Sequence, residues 1–147
     1  MSEPLRTAIR TGMETALQSL ETNSEAYFRA FKLQRTWDLV EELKQSPTYS
    51  VVVTDESIGD LSHTHKSCTV DGIVVVQVRD ADDPRIVLDK AIEDVWRAVM
   101  SDPTLGGVVR ETSIESIECD DGTKIARPFA QAVMRFACLA SRMRRPA

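Results

Sequence analysis

Three side chains with metal-binding or nucleophilic chemistry lie close together in the chain: His63, His65 and Cys68, in the stretch LSHTHKSCTV. Imidazole nitrogen and thiolate sulfur are zinc ligands, and a structural zinc site closes with four of them. The chain has 2 histidines in all, and both are in this stretch. A metal is therefore not expected, and the three residues read as a polar surface loop running into the start of a strand. Neither histidine neighbours a Ser or Cys in a nucleophile turn, and no glycine-rich loop follows a strand to cradle phosphate. Carboxylates are plentiful, yet each group has a structural reading. Asp80, Asp82 and Asp83 gather where a helix begins and its dipole favours negative charge. Asp120 and Asp121 suit a turn. Glu14, Glu21, Glu41, Glu42, Glu93 and Asp94 belong to solvated faces. No catalytic residue and no cofactor is expected, unless an active site is assembled between subunits.

The frame that would hold these residues is small. A chain of 147 residues suits one domain, residues 1–147, with enough length to bury a core. Hydrophobic residues at 42% and charged residues at 28% mark a globular chain, neither disordered nor fibrous. Aromatics are only 5%, so Val, Ile, Leu and Ala must fill the core. A formal charge of -5 disfavours tight binding along phosphates, which needs cationic side chains to release counterions. The basic run Arg142, Arg144 and Arg145 reads as a solvated tail, or as a contact with an acidic neighbour. Three widely spaced cysteines, Cys68, Cys119 and Cys138, do not make a disulfide framework and fit a reducing compartment. The first residues, MSEPLRTAIRTG, lack the basic and then apolar order of a signal peptide, and no apolar run approaches the ~18 residues of a membrane span. The expectation is a protein made soluble, with no membrane partner.

Helical spacing runs through Leu5, Ile9, Met13, Ala16, Leu17 and Leu20, with Pro4 in a first-turn position, and predicts a helix ending near Glu21. AYFRAFKLQRT alternates and reads as a strand, with a helix as the rival reading. Trp37 to Gln45 is a charged connector closed by Ser46 and Pro47. Tyr49 to Val53 and Thr69 to Arg79 have strand character, with a bulge or bend at Asp71 and Gly72. The clearest helix opens at Asp83 as cap and Pro84 as first residue. Leu88, Ala91, Ile92, Val95, Trp96 and Val99 form its apolar face and Asp89, Lys90, Glu93, Asp94 and Arg97 its polar one, so Trp96 is expected between helix and sheet. Ser101 to Gly107 ends it. VVRETSIESIEC and AQAVMRFACLASRM then form a hairpin across Asp120 to Thr123. In the second strand Ala130, Ala132, Met134, Phe136 and Cys138 share a face, although a helix through Phe129, Val133, Phe136 and Ala140 competes. The fold class is α+β: a mostly antiparallel sheet with an N-terminal helix and a second amphipathic helix packed on it.

The segment VWRAVMSDPTLGGVV, Val95 to Val109, resembles a pattern of phage tail terminator and minor tail proteins: an amphipathic helix, the turn Asp102, Pro103, Thr104, Leu105, Gly106 and Gly107, and then a strand. FRAFKLQRTWDLVEELKQSPTYSVVV resembles that family's first strand, acidic connector and second strand, and ARPFAQAVMRFACLAS its closing strand. The turn has a physical reading of its own, because Pro103 tolerates a helix end and the two glycines permit positive φ. The resemblance implies a structural virion protein, assembled in the cytoplasm of a host bacterium and located in the tail or neck. It implies a homohexameric ring that caps the tail tube protein, stops its polymerisation and presents a surface to head-tail connector and neck proteins, while genome DNA passes through without specific binding. Other neck components, head-tail connectors or head-completion proteins, are the alternative, and a small cytosolic binding or regulatory protein is a third reading.

Asp55 to Ser67 is polar and shows no period, whereas most connections in compact domains are about 4 to 6 residues long. It is read as a loop, mobile in an isolated subunit, that orders against a neighbour on assembly. Asp55, Glu56, Asp60, His63 and His65 are the residues it would offer.

Overall fold

Buried side chains at Ile9, Met13, Ala16 and Leu17 put one stripe of helix α1, Leu5–Gln18, against the rest of the chain, as the three-and-four spacing requires. Leu20, in the short 3-10 turn Ser19–Thr22, extends the same stripe. In this computed structural model the described residues are 4–28, 32–34, 47–59, 65–79, 83–120 and 129–143. The charged connector and the central residues of the Asp120 to Thr123 turn lie outside them.

Strands β1, Lys32–Gln34, β2, Thr48–Ile58, β3, His65–Arg79, β4, Glu111–Asp120, and β5, Phe129–Met143, form one sheet in the order β1-β2-β3-β5-β4. Only β1 runs parallel to its neighbour; β2, β3, β5 and β4 are antiparallel in turn. The fold is α+β, with two helices on the sheet. β5 settles the choice between strand and helix: it pairs with β3 from Phe129 to Met143 without a break. Its even positions, Ala130 through Ala140, are buried, which is the period-two pattern of a strand facing a core. Of the strand expected from Ala26 to Thr36, the described part is β1, three residues long, and Ala26, Tyr27 and Phe28 lie outside it. The first strand of the last hairpin opens at Glu111, after Val108 and Val109.

Helix α2, Pro84–Ser101, begins as its residues predict: Asp83 Oδ1 accepts from Arg85 N at 3.1 Å and Ile86 N at 3.3 Å, leaving Pro84 where no N–H is needed. Its buried stripe is Leu88, Ala91, Asp94, Val95, Ala98 and Val99. This corrects two expectations. Asp94 is fully buried, and Trp96 is 42% exposed. The reason is the segment that follows the 3-10 turn: Asp94 Oδ1 and Oδ2 accept from Tyr27 N and Phe28 N, each at 2.9 Å. Two main-chain donors replace water around one carboxyl group, so the helix rolls toward them and carries Trp96 outward on its other flank.

Gly72 marks the middle of the sheet. A Cβ there would run into Phe136 Cζ and lie 2.7 Å from Val52 O, so the ring of Phe136 occupies the space that a side chain would need. Val53, Gly72, Phe136 and Ile114 are register partners along one row. The expected bulge at Asp71 and Gly72 is not in β3, whose pairing with β5 is continuous. Bulges lie instead in the flanking strands, between Val53 and Glu56 and between Ile114 and Ser116. Each bulge puts one extra residue into an outer strand, which bends and twists that strand locally, while β3 and β5 pair without one.

Candidate functional site

The turn that ends α2 is fully built. Asp102 N donates to Val99 O at 3.2 Å, Leu105 N to Asp102 O at 3.1 Å, and Gly107 N and Val109 N both to Thr104 O at 3.1 Å. Asp102 Oδ1 accepts from Gly106 N at 3.1 Å. Leu105, Gly106 and Gly107 have φ of 51, 72 and 91°. The glycines take that region at little cost, but a leucine is strained there by about 1–2 kcal/mol. Burial compensates: Leu105 is 2% exposed. Its Cβ lies 2.9 Å from where a side chain on Gly12 would begin, so α1 approaches the turn through its one position without a Cβ. Pro103, Thr104, Gly106 and Gly107 remain exposed. The turn therefore locks α1, α2 and the entry to β4 together, and offers solvent a tip of four small or rigid residues.

The loop proposed between Asp55 and Ser67 is mostly sheet. Asp55 and Glu56 belong to β2 and His65 to β3, and the pairing reaches Ile58 opposite Cys68, with Gly59 N donating to Ser67 O at 2.8 Å. Asp60 and His63 lie outside the described residues. Alternation fails here because the bulge after Val53 shifts the phase, and because Thr54, Asp55, Ser57 and Ile58 are exposed, leaving no apolar side to read. Glu56 is the exception. Its side chain is 11% exposed and accepts from Arg142 Nη2 at 2.8 Å and from Arg142 Nε, with Arg6 Nη1 at 3.9 Å. Arg142 thus pairs within its own subunit and is not part of a solvated tail; Arg144 and Arg145 lie outside the described residues. The Arg142 hydrogen bonds, against the cost of burial, hold the Glu56 carboxyl below the usual carboxylate range.

The three cysteines are thiols. Burial first, and the neighbouring Glu56 second, push the Cys68 thiol up, and burial does the same to Cys138. Both are therefore protonated and poorly nucleophilic at neutral pH. Burial, and next the nearby Asp94, also push the Tyr49 hydroxyl above its usual range. Among the described residues no group of three or more His, Cys, Asp or Glu is placed to hold a metal ion, and no helix is long and apolar enough to cross a membrane.

What remains as functional surface is at the margins of the sheet. Beyond Ile114, β4 is exposed through Cys119, and among the described residues no strand lies outside it. Ile117, 40% exposed, is opposite buried Met134 and so on the helix side. Glu111, Glu115 and Glu118 are exposed along the same strand. On the far edge of the sheet, among the described residues, β1 covers β2 from Thr48 to Ser50. Past it a cleft of about 230 Å³ lies between α1 and β2, lined by Arg6, Thr7, Arg10 and Val51 to Val53. Arg6 Nη2 caps two carbonyls there, Thr54 O at 2.8 Å and Val53 O at 3.3 Å. Sequence reasoning pointed to the turn but missed both margins, because strand order, and hence which strand is an edge, is not written in any local pattern. The chain matches no protein-family model and none of the curated proteins compared with it.

Proposed function

We propose that this chain is a structural subunit of a tailed-bacteriophage virion, a tail terminator that forms a hexameric ring, as the resemblance implies, at the head end of the tail. The α2–turn–β4 unit carries this reading. An 18-residue helix capped by Asp83 stops in the Asp102 to Gly107 turn and feeds an edge strand, and that order of elements is the one in which the chain resembles the terminator family. The turn is anchored on α1 at Gly12, which gives the exposed tip a fixed position from which to meet the tail tube or the neck.

The mechanism is geometric. Each subunit binds the next head to tail, rotation closes the ring, and a closed ring leaves no open end for further tube subunits. A net charge of -5 per chain suits a channel through which DNA slides without adhering. Native mass spectrometry of the purified chain tests the assembly: six copies are expected, and a monomer at all concentrations overturns the reading. A phage lacking the protein should yield filled heads and unjoined tails, some of abnormal length. Normal infectious particles from that mutant would contradict the assignment, and a label imaged on the head instead of the tail would move the subunit to another neck component.

A further inference from the structure

Two guanidinium groups, Arg6 and Arg10, stand one helical turn apart on α1 and line the α1–β2 cleft, together with Thr7 and Val51 to Val53 among the described residues. Like charges at that spacing repel one another. Arg6 has a part in the fold, since its Nη2 donates to Thr54 O at 2.8 Å and to Val53 O at 3.3 Å. Those bonds fix its guanidinium at the rim of the cleft. Arg10 Nε, by contrast, is buried with no hydrogen-bond partner, and its ion pair with Glu14 Oε1 spans 3.9 Å, beyond hydrogen-bond reach. Glu56, 3.9 Å from Arg6 Nη1, is already held by Arg142 through Nε and Nη2. A desolvated, charged N–H without an acceptor is costly. What this cleft is short of is an acceptor.

We propose that the cleft binds a small oxyanion of the phosphate class, with Arg10 Nε and the Arg6 guanidinium donating to its oxygens and the Thr7 hydroxyl as a third donor. Its volume of about 230 Å³ is below the roughly 300–1,000 Å³ of pockets that enclose drug-sized ligands. One phosphate group suits that space, free or at the end of a larger molecule. A carboxylate pairs well with a single guanidinium, whereas a phosphate has oxygens for all three donors and a second negative charge for the second cation. Val51 to Val53 contribute an apolar lining, which keeps water from competing for these bonds and strengthens them. The net charge of -5 opposes any anion at long range, so the affinity comes from the short contacts and is modest. The site lies within one subunit and does not depend on the ring.

Titration of the purified chain with inorganic phosphate at constant ionic strength, followed through the arginine Nε–H resonances by NMR, tests the site. The Arg10 signal should move saturably, with half-saturation at about 1 mM. Arg10→Gln should weaken binding about tenfold or more. Glu14→Gln, which removes the carboxylate beside Arg10, should leave binding as tight or tighter; circular dichroism checks that both variants fold. Tighter binding of glycerol phosphate than of inorganic phosphate assigns the cleft to the end group of a larger molecule, and the reverse order assigns it to the free ion. The absence of a saturable shift up to about 50 mM phosphate, or an unchanged half-saturation in Arg10→Gln, overturns the proposal. A shift that sodium chloride reproduces is charge screening alone, and overturns it too.

Discussion

Asp94, itself fully buried, fixes a stretch of main chain 66 and 67 residues away through two 2.9 Å hydrogen bonds. Removing the carboxyl leaves two part-buried N–H groups without their acceptor, so Asp94→Ala is expected to cost about 1–3 kcal/mol, and Asp94→Asn, which keeps one acceptor, clearly less. Urea unfolding checks this, and an unchanged midpoint for the alanine variant would show that the contact does not support the fold. Glu56 makes a different prediction, about acid. Its carboxyl is held below the ordinary value of 4.5, so its pairing with Arg142 stabilises the fold fully above that value. The contribution is lost as pH falls through 4.5 and on through the lower folded value. Glu56→Gln should therefore be the less stable chain at neutral pH and lose less stability than the wild type on acidification below about pH 4.5. Parallel pH profiles for the two would remove Glu56 from the account. Neither role is visible in the amino-acid string, where Asp94 sits among charged neighbours at a helical spacing that suits a solvated face, and Glu56 in a polar run.

At the scale of elements, contacts to glycine decide which substitutions are tolerated. Gly12→Ala pushes a side chain into Leu105 Cβ at 2.9 Å, and Gly72→Ala meets the Phe136 ring and a carbonyl more closely still. Each is expected to cost about 1–3 kcal/mol as overpacking, measured as a fall in unfolding midpoint. Trp96→Ala, at a position 42% exposed, should cost about 1 kcal/mol or less, well under the cost of emptying a core site. A large loss there would return Trp96 to the interior. Both helices and the β5 strand were legible because one side of each is apolar at its own period, and the caps Asp83 and Pro84 announce the start of α2. The β2–β3 hairpin was not legible beyond Val53, where a bulge changes the phase and solvent meets both sides. The roll of α2 was hidden for another reason: Asp94 and Trp96 differ in burial because of a main-chain segment distant in sequence, which no helical pattern encodes. The Asp102 to Gly107 turn was found by its residue types, yet its attachment to Gly12 required the packing of α1.

For the molecule as a whole, the central pairing joins residues far apart in the chain, from His65 with Met143 to Arg79 with Phe129. Closing such long loops precedes most of the stabilisation, so refolding is expected in milliseconds to seconds, slower than for helical domains of this size. Stopped-flow fluorescence of the two tryptophans measures it, and microsecond refolding would mean that the helices, not β3 and β5, set the barrier. The same pair of strands also has a mechanical side. His65 to Asp71 and Ala137 to Met143 lie on one side of the Gly72–Phe136 row, an arm of about 23 Å at about 3.3 Å per residue. The Phe136 ring, seated in the space that a side chain on Gly72 would need, is thus the point at which that arm meets the rest of the sheet.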